Sequence, residues 1–375
     1  MKIAAAVMRA VRSPLTLESL QLDEPQADEV LVRVVATGIC HTDIVARDGG
    51  LPTPPSMVLG HEGAGIVERI GDNVGTLRPG QRVIMSFDSC GHCACCQDGT
   101  PAYCHAFVPY NFLGRRRDGS VALKDGDGQS VHGHFFGQSS FATHALCHER
   151  NLVPVTEDVP LEVLAPLGCG LQTGAGAVLN VLKVRPGDSI VVFGVGAVGL
   201  AAVMAARWCG ASQIFAVDRN QQRLALATEL GATAVFEASA DVAAAIVQAS
   251  GNGVDHAVDT TGVPSVTQQV PLCLAPRGCC VFLGAYPPDA MVQLNPTQLL
   301  LGGRSVRGLV EGDSNPARFI PRLIAGYRSG HFPIDKLLSF YSFDQINTAI
   351  SDAEAGRVVK PVLRMETMVH AGGAT

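Results

Sequence analysis

The chain has 375 residues with a net charge of −6 and 47 % hydrophobic residues, a length that favours two cores over one. No basic run exceeds Arg115-Arg116-Arg117, which argues against nucleic acid as a partner, and no unbroken apolar segment approaches the roughly twenty residues needed to cross a bilayer. The first eleven residues lack the apolar length and cleavage site of a signal peptide, so the expected setting is a soluble, cytoplasmic one without membrane association.

Residues 1–38 read as β-structure, with Val-rich 30–36 leading through Thr37-Gly38 into Cys40-His41-Thr42-Asp43. Gly and Pro mark 49–55 as a loop. Gly60-His61-Glu62 then precedes a strand over 66–70. Five of the twelve cysteines fall between Cys90 and Cys104. Clustered cysteines in a reducing compartment point to metal, and Cys90, Cys93, Cys96 and Cys104 could close a tetrahedral thiolate cage of the structural-zinc kind, with Cys95 a bystander. Buried or disulfide-paired cysteines are the competing reading. Residues 105–150 are polar and rich in glycine, and 114–128 reads as an exposed insertion.

The stretch from Cys169 to Asp218 organises the second half of the chain. A Pro186-Gly187 turn leads into the apolar run 189–193, and Gly194-Val195-Gly196-Ala197-Val198-Gly199 opens a helix-like segment. The second apolar run, 213–217, ends on Asp218, nineteen residues after Gly199. A strand that stops at a glycine-rich turn opening a helix presents backbone N–H groups to a pyrophosphate, and the acid ending the next strand accepts hydrogen bonds from an adenosine ribose. A carboxylate there repels a 2′-phosphate and selects NAD, while the neighbouring Arg219 would favour NADP. A tight turn in an ordinary βαβ unit would explain the glycines alone, but not the whole order of strand, helix, strand and acid. The alternation continues through a helix over 221–230 and strands over 254–259, 278–284 and 306–310, as in a parallel sheet covered by helices. Residues 314–363 read as mixed structure returning to the first domain.

Spacing does not join Cys40, His61 and Cys169, since a lone Cys or His is more often core than ligand. The combination of Gly60-His61-Glu62, the four-cysteine lobe, Cys169-Gly170 and the glycines from Gly194 to Gly199 resembles the zinc-dependent medium-chain alcohol dehydrogenase family, over nearly the whole chain. That resemblance implies an α/β protein with a GroES-like, mainly-β catalytic domain over 1–170 and 311–375. A doubly wound Rossmann parallel sheet binding NAD would occupy 171–310. It implies two zinc ions per chain, a catalytic one on Cys40, His61 and Cys169 and a structural one on Cys90, Cys93, Cys96 and Cys104. Glu62 then matches a carboxylate that sits beside the zinc or binds it transiently, Asp43 the carboxylate orienting His61, and Thr42 the hydroxyl that takes the alcohol proton. His41 and Lys360 match pyrophosphate contacts, Thr173 and Val198 the packing of nicotinamide, and Asp218 with Arg223 the ribose site. Many members carry a proton-relay His five residues after the first zinc cysteine, where this chain has Val45, so water or another side chain must complete the relay.

The segment Asn111 to Arg116 with Asp118-Gly119-Ser120, and Ser86 to Ser89 ahead of Cys90, resemble the aryl-alcohol (benzyl alcohol) dehydrogenase branch. That branch implies reversible oxidation of primary aromatic or allylic alcohols, of the benzyl alcohol or geraniol type, to aldehydes. Leu51, Phe87, Phe141 and Val310 are then candidates for an apolar cleft. A glutathione-dependent formaldehyde dehydrogenase is the alternative, since it shares both zinc sites, and a non-catalytic NAD- or zinc-binding relative is the minor one. The family also implies a homodimer or homotetramer joined partly through the sheet edge near 306–310.

Overall fold

The computed structural model describes residues 1–287 and 289–365, in two compact units. The first comprises Met1–Cys169 and the chain from Leu337 onward, and is mainly β. Its hub is the strand Glu29–Gly38, which pairs antiparallel with Glu62–Ile70, His144–His148 and Lys360–Arg364. Alternation along that strand divides its side chains between two cores. Val30, Val32 and Val34 join Val67, Val83 and Met85 on one face, while Leu31 joins a larger cluster with Met8, Phe135, Phe141 and Ile346 on the other. Burial on both sides explains why 30–36 reads as an apolar run broken only by the exposed Arg33.

Much of the segment 114–128 is exposed, as its glycines suggest, but a few of its residues anchor it to the first unit. Ala122 and Leu123 are buried, and Leu123–Lys124 pairs with Thr16–Leu22. Arg116, 7 % exposed, donates from Nε and Nη2 to the two carboxylate oxygens of Glu29, each at 3.0 Å, and from Nη2 to the Glu24 carbonyl at 2.9 Å. Arg117 binds the Asp88 carboxylate beside the cysteine lobe. Two arginines thus tie the segment down, which glycine content could not foretell. Arg116→Ala leaves Glu29 with only His134 and the Gln26 N–H, and is expected to cost about 3 kcal/mol of stability in urea unfolding. A loss below about 1 kcal/mol would mean that those two partners suffice.

The second unit, Gly170–Lys336, holds a six-stranded parallel sheet. Its spatial order is Ala234–Glu237, Gln213–Asp218, Ser189–Phe193, Val254–Asp259, Leu274–Phe282 and Ser305–Gly308. In chain order that is 3-2-1-4-5-6, the doubly wound Rossmann arrangement, whose ligand crevice opens where the order reverses, at the carboxyl end of Ser189–Phe193.

The domain limits expected at 171–310 need correcting at the second boundary. The helix Pro316–Arg328 buries Phe319, Ile320, Leu323 and Ile324 in this unit, and Gly326 lies so close to Trp208 that a Cβ there would meet its ring at 2.6 Å. Gly312 packs likewise on Gly176, so the chain leaves the nucleotide unit only after Lys336. The first crossing falls after Cys169, one residue before the limit expected from sequence. Residues 366–375 of the predicted catalytic segment lie outside the described residues.

Candidate active site and metal centres

Cys40 is the extended N-cap of the helix His41–Arg47, and its N–H donates to Asp43 Oδ2 at 2.9 Å. That capping contact turns the other carboxylate oxygen, Oδ1, toward His61 Nδ1 at 2.8 Å and the Gly60 N–H at 3.1 Å. Gly60 has φ +91°, and a Cβ on it would meet the Phe141 backbone nitrogen at 2.4 Å, so only glycine lets the chain deliver His61 to this position. Cys169 follows the short helix Ala165–Gly168, held where the Ser86 hydroxyl donates to the Gly168 carbonyl at 2.7 Å. Segments distant in sequence thereby bring Cys40, His61, Glu62 and Cys169 together, their ligand-type atoms all within 4.8 Å of one another.

The electrostatics suit a cation. A carboxylate only accepts, so Asp43 fixes the proton on His61 Nδ1 and leaves Nε2 facing the cluster. Nε2 is buried and makes no conventional hydrogen bond. The Cys169 thiol holds Cys40 well below the ordinary thiol range; burial opposes this, while His61 and Lys360 add to it. Burial disfavours a charged His61, yet Asp43 and Cys40 outweigh it and push the imidazole pKa up. Two thiols, one of them primed to ionise, and an imidazole nitrogen that would give up its proton on binding form a zinc donor set, and the orphaned Nε2 fits that occupant. Thr42, expected at the proton-accepting position, places its hydroxyl 3.7 Å from Cys40 Sγ. Val45 is half-buried and Gly50 packs against it, so no titratable group stands at the usual relay position.

Lys360, which the resemblance matches to a pyrophosphate contact, lies buried beside Glu62. It is 2 % exposed, and its Nζ lies 2.7 Å from Glu62 Oε1 and 2.5 Å from Oε2 and donates to the Ile39 carbonyl at 3.2 Å. Burial alone would neutralise both partners: it pushes the Glu62 carboxyl up and the ammonium down. Contact with both carboxylate oxygens favours the ion pair, and Glu62 with Cys40 holds Lys360 in its charged form. Its ammonium is engaged by Glu62 within this unit. A Cβ on Gly38 would lie 2.1 Å from Glu62 Oε2, which is why glycine ends that strand. His41, the other expected pyrophosphate contact, is exposed at the start of its helix.

Cys90, Cys93, Cys96 and Cys104 converge as a second cluster, from which Cys95 is absent. Backbone N–H groups of Cys93 and Cys90 donate to Cys90 Sγ and Cys104 Sγ at 3.3 and 3.2 Å. All twelve cysteines are free thiols, which removes the disulfide reading. Backbone N–H groups of His105 and Cys96 lower the Cys93 thiol to about 6, while burial raises Cys104 to about 12. Thiols so crowded cannot all ionise without a cation to share them.

In the second unit the three motif glycines have separate causes. Gly194 turns with φ +81°, and a Cβ on Gly199 would sit 1.9 Å from the Gly194 carbonyl oxygen, so that glycine sets helix-to-strand contact. Among the described residues, a Cβ on Gly196 would meet no atom within 4 Å and no side chain caps the helix Ala197–Trp208 that it opens. That open, N–H-lined end suits a pyrophosphate. Asp218 accepts from the Val195 N–H at 2.8 Å and the Asn220 N–H at 2.9 Å, which fixes its carboxylate at the end of its strand. Arg223 lies partly buried on the next helix, and Arg219 is exposed. Thr173 and Val198 sit on two helices that close up at Gly174, where a Cβ would be 1.9 Å from the Val198 carbonyl oxygen.

Among the cleft candidates, Phe87 and Phe141 are buried in the first unit's core, Leu51 packs against it, and Val310 is exposed on the second unit. Sequence reasoning missed the side chains nearest His61. Phe136 stacks on its ring and Phe135 meets it edge-on, while the Gln138 amide donates to its carbonyl at 2.9 Å. The only signal was a Phe135-Phe136-Gly137 run inside a polar stretch.

Two family models match the chain: an alcohol dehydrogenase GroES-like domain over 26–157 and a zinc-binding dehydrogenase over 197–325. A geraniol dehydrogenase of Castellaniella defragrans is 48 % identical over 361 residues, 96 % of each chain. The crystal structure of a benzyl alcohol dehydrogenase from Acinetobacter calcoaceticus superposes with a TM-score of 0.94 at 47 % identity, covering 97 % of this chain and 99 % of that one. An alcohol dehydrogenase zinc-binding domain protein from Burkholderia ambifaria gives 0.96 at 49 %, over 98 % and 100 %. With the dinucleotide fold and the thiol–imidazole cluster in place, the chain belongs to the zinc-dependent medium-chain alcohol dehydrogenase family.

Proposed function

We propose that the protein is an NAD-dependent, aryl-alcohol type dehydrogenase that reversibly oxidises primary aromatic or allylic alcohols to aldehydes. The observation that carries this reading is the convergence of two thiols with His61 Nε2, backed by Asp43, in a chain with a complete dinucleotide fold. Cys40, His61 and Cys169 would hold a catalytic zinc with Glu62 beside it, and Cys90, Cys93, Cys96 and Cys104 a structural one, two ions per chain. Zinc supplies a Lewis acid that eases loss of the hydroxyl proton, and NAD supplies the hydride acceptor.

The chain's own residues do the rest. Asp43 holds the His61 tautomer, Thr42 Oγ1 takes the substrate proton, and the Gly194–Gly199 turn with Asp218 seats the cofactor. In the balanced reaction an alcohol and NAD⁺ become an aldehyde, NADH and one proton. With valine at position 45 that proton must pass to water or another side chain.

The substrate class is supported by relatives named for geraniol and benzyl alcohol, and by the rings of Phe107, Phe112, Phe135 and Phe136 gathered next to His61. Neither name favours the glutathione adduct. Burying an aromatic or prenyl group in place of ethanol's methyl is worth about 3 kcal/mol, so kcat/KM for benzyl alcohol or geraniol should exceed that for ethanol by about 100-fold. Initial NADH formation with these alcohols and with hydroxymethylglutathione tests it. Equal or better kcat/KM for ethanol would refute the substrate class, and turnover of the glutathione adduct alone would move the protein to the formaldehyde branch.

Among the described residues no helix is long and apolar enough to cross a membrane, and twelve free thiols suit a cytoplasmic setting. The strand Ser305–Gly308 lies at the sheet edge, and Leu300 and Leu301 just before it are exposed, which supports a homo-oligomer joined at that edge.

A further inference from the structure

One hydrogen bond at Nδ1 restrains His61 only softly against tilting of the ring about its side-chain torsions. A tilt of that kind swings Nε2 away from Cys40 and Cys169. What opposes it is a flat surface. The Phe136 ring lies against the imidazole with centroids 4.4 Å apart and planes 23° from parallel, and Phe135 stands at 86° on the imidazole with centroids 5.5 Å apart. Phe112 and Phe107 press on Phe136 from other sides, at 5.4 and 6.3 Å.

The backbone that presents Phe136 is strained. Phe136 itself has φ +51° and ψ +35°, a conformation that bulky side chains rarely adopt, and His134, Gly137 and Ser139 also have positive φ. Such a conformation persists only where the surroundings over-determine it, and here they do. Ser139 Oγ donates to the Val58 carbonyl at 2.6 Å and accepts from the Phe135 N–H at 2.9 Å. Asn151 Nδ2 donates to the Gly137 carbonyl at 3.2 Å. The buried Gln138 closes the loop onto the site: its Nε2 donates to the His61 carbonyl at 2.9 Å, and its Oε1 accepts from the Gly63 N–H at 3.1 Å. A loop that only filled the core could do so without left-handed residues. This one spends its strain on placing one ring face and one carboxamide against the same histidine.

We infer that Phe136, braced by the 134–139 loop, is a positioning residue that fixes the plane of the His61 ring and thereby tunes the affinity of the Cys40–His61–Cys169 site for its metal. The inference rests on the metal reading of that site, and the experiment separates the two. Full-length protein is exchanged with cobalt(II), whose visible bands differ between a site with two thiolates and an imidazole and a site with four thiolates. Phe136→Leu keeps an apolar side chain of similar bulk but removes the flat face; Phe136→Tyr keeps the face.

The leucine variant is expected to shift the two-thiolate bands and to lose that cobalt at a chelator concentration about 10–100-fold lower than wild type. The four-thiolate band should not move, and the tyrosine variant should match wild type. If the leucine variant does not fold, Phe136→Met is read in the same way. Unchanged bands and chelator midpoint in the folded variant, or equal weakening of both sites, would overturn the inference. A wild-type protein without any two-thiolate band would overturn the metal reading and this inference with it.

Discussion

His61→Ala is expected to lower kcat/KM for alcohol oxidation by about 10⁴-fold while the chain stays folded, because the Lewis-acid contribution it supports is worth several kcal/mol. The substitution removes the only nitrogen of the cluster, leaving two thiols and the ion-paired Glu62. The protein should retain one zinc per chain, on the four-cysteine lobe, against two in wild type. Folding should survive because Asp43 keeps the N–H groups of Cys40 and Gly60 as partners, so no carboxylate is stranded. Cys40→Ala should behave alike. Zinc analysis, circular dichroism and initial rates on the same preparations decide the matter: a folded variant of either kind with near-normal rates would mean that the catalytic metal site is misassigned.

What the sequence discloses divides along physical lines. Local patterns were readable because their causes are local. The glycine turn, the strand before it and the acid nineteen residues on belong to one βαβ unit, and the four cysteines to one short lobe. The catalytic cluster was not legible from spacing, since Cys40, His61 and Cys169 are joined only by strand pairing and by contacts such as that of Asp43 with Gly60; resemblance supplied it. The ion pair of Lys360 with Glu62 was not legible either, because the two residues lie far apart in sequence and meet only in the fold. The domain boundary slipped to Lys336 for a similar reason, because the close packing of Gly312 and Gly326 is invisible in composition. Phe136 escaped because neither its left-handed backbone nor its neighbour can be inferred from a run of aromatics.

The nucleotide turn permits a test in which two glycines of one motif part company. Valine at position 199 would drive its Cβ to 1.9 Å from the Gly194 carbonyl oxygen, a backbone atom that cannot rotate away, so the helix Ala197–Trp208 must move off its strand. That overpacking is expected to cost about 1–3 kcal/mol and to lower the melting temperature even without cofactor. Because the displaced first turn carries the N–H groups that would face the pyrophosphate, the KM for NAD should rise by about 100-fold, roughly 2.7 kcal/mol. Gly196→Ala makes the opposite separation. At φ −72° alanine is unstrained, and its methyl would meet no protein atom within 4 Å, so the melting temperature of the cofactor-free protein should not change. Its methyl would instead occupy the space through which a pyrophosphate approaches the backbone, and the stabilisation that NAD gives wild type in a melting experiment should largely disappear. Full NAD stabilisation of the Gly196→Ala protein would show that the cofactor's phosphates do not lie over this turn, whatever the glycine spacing suggests.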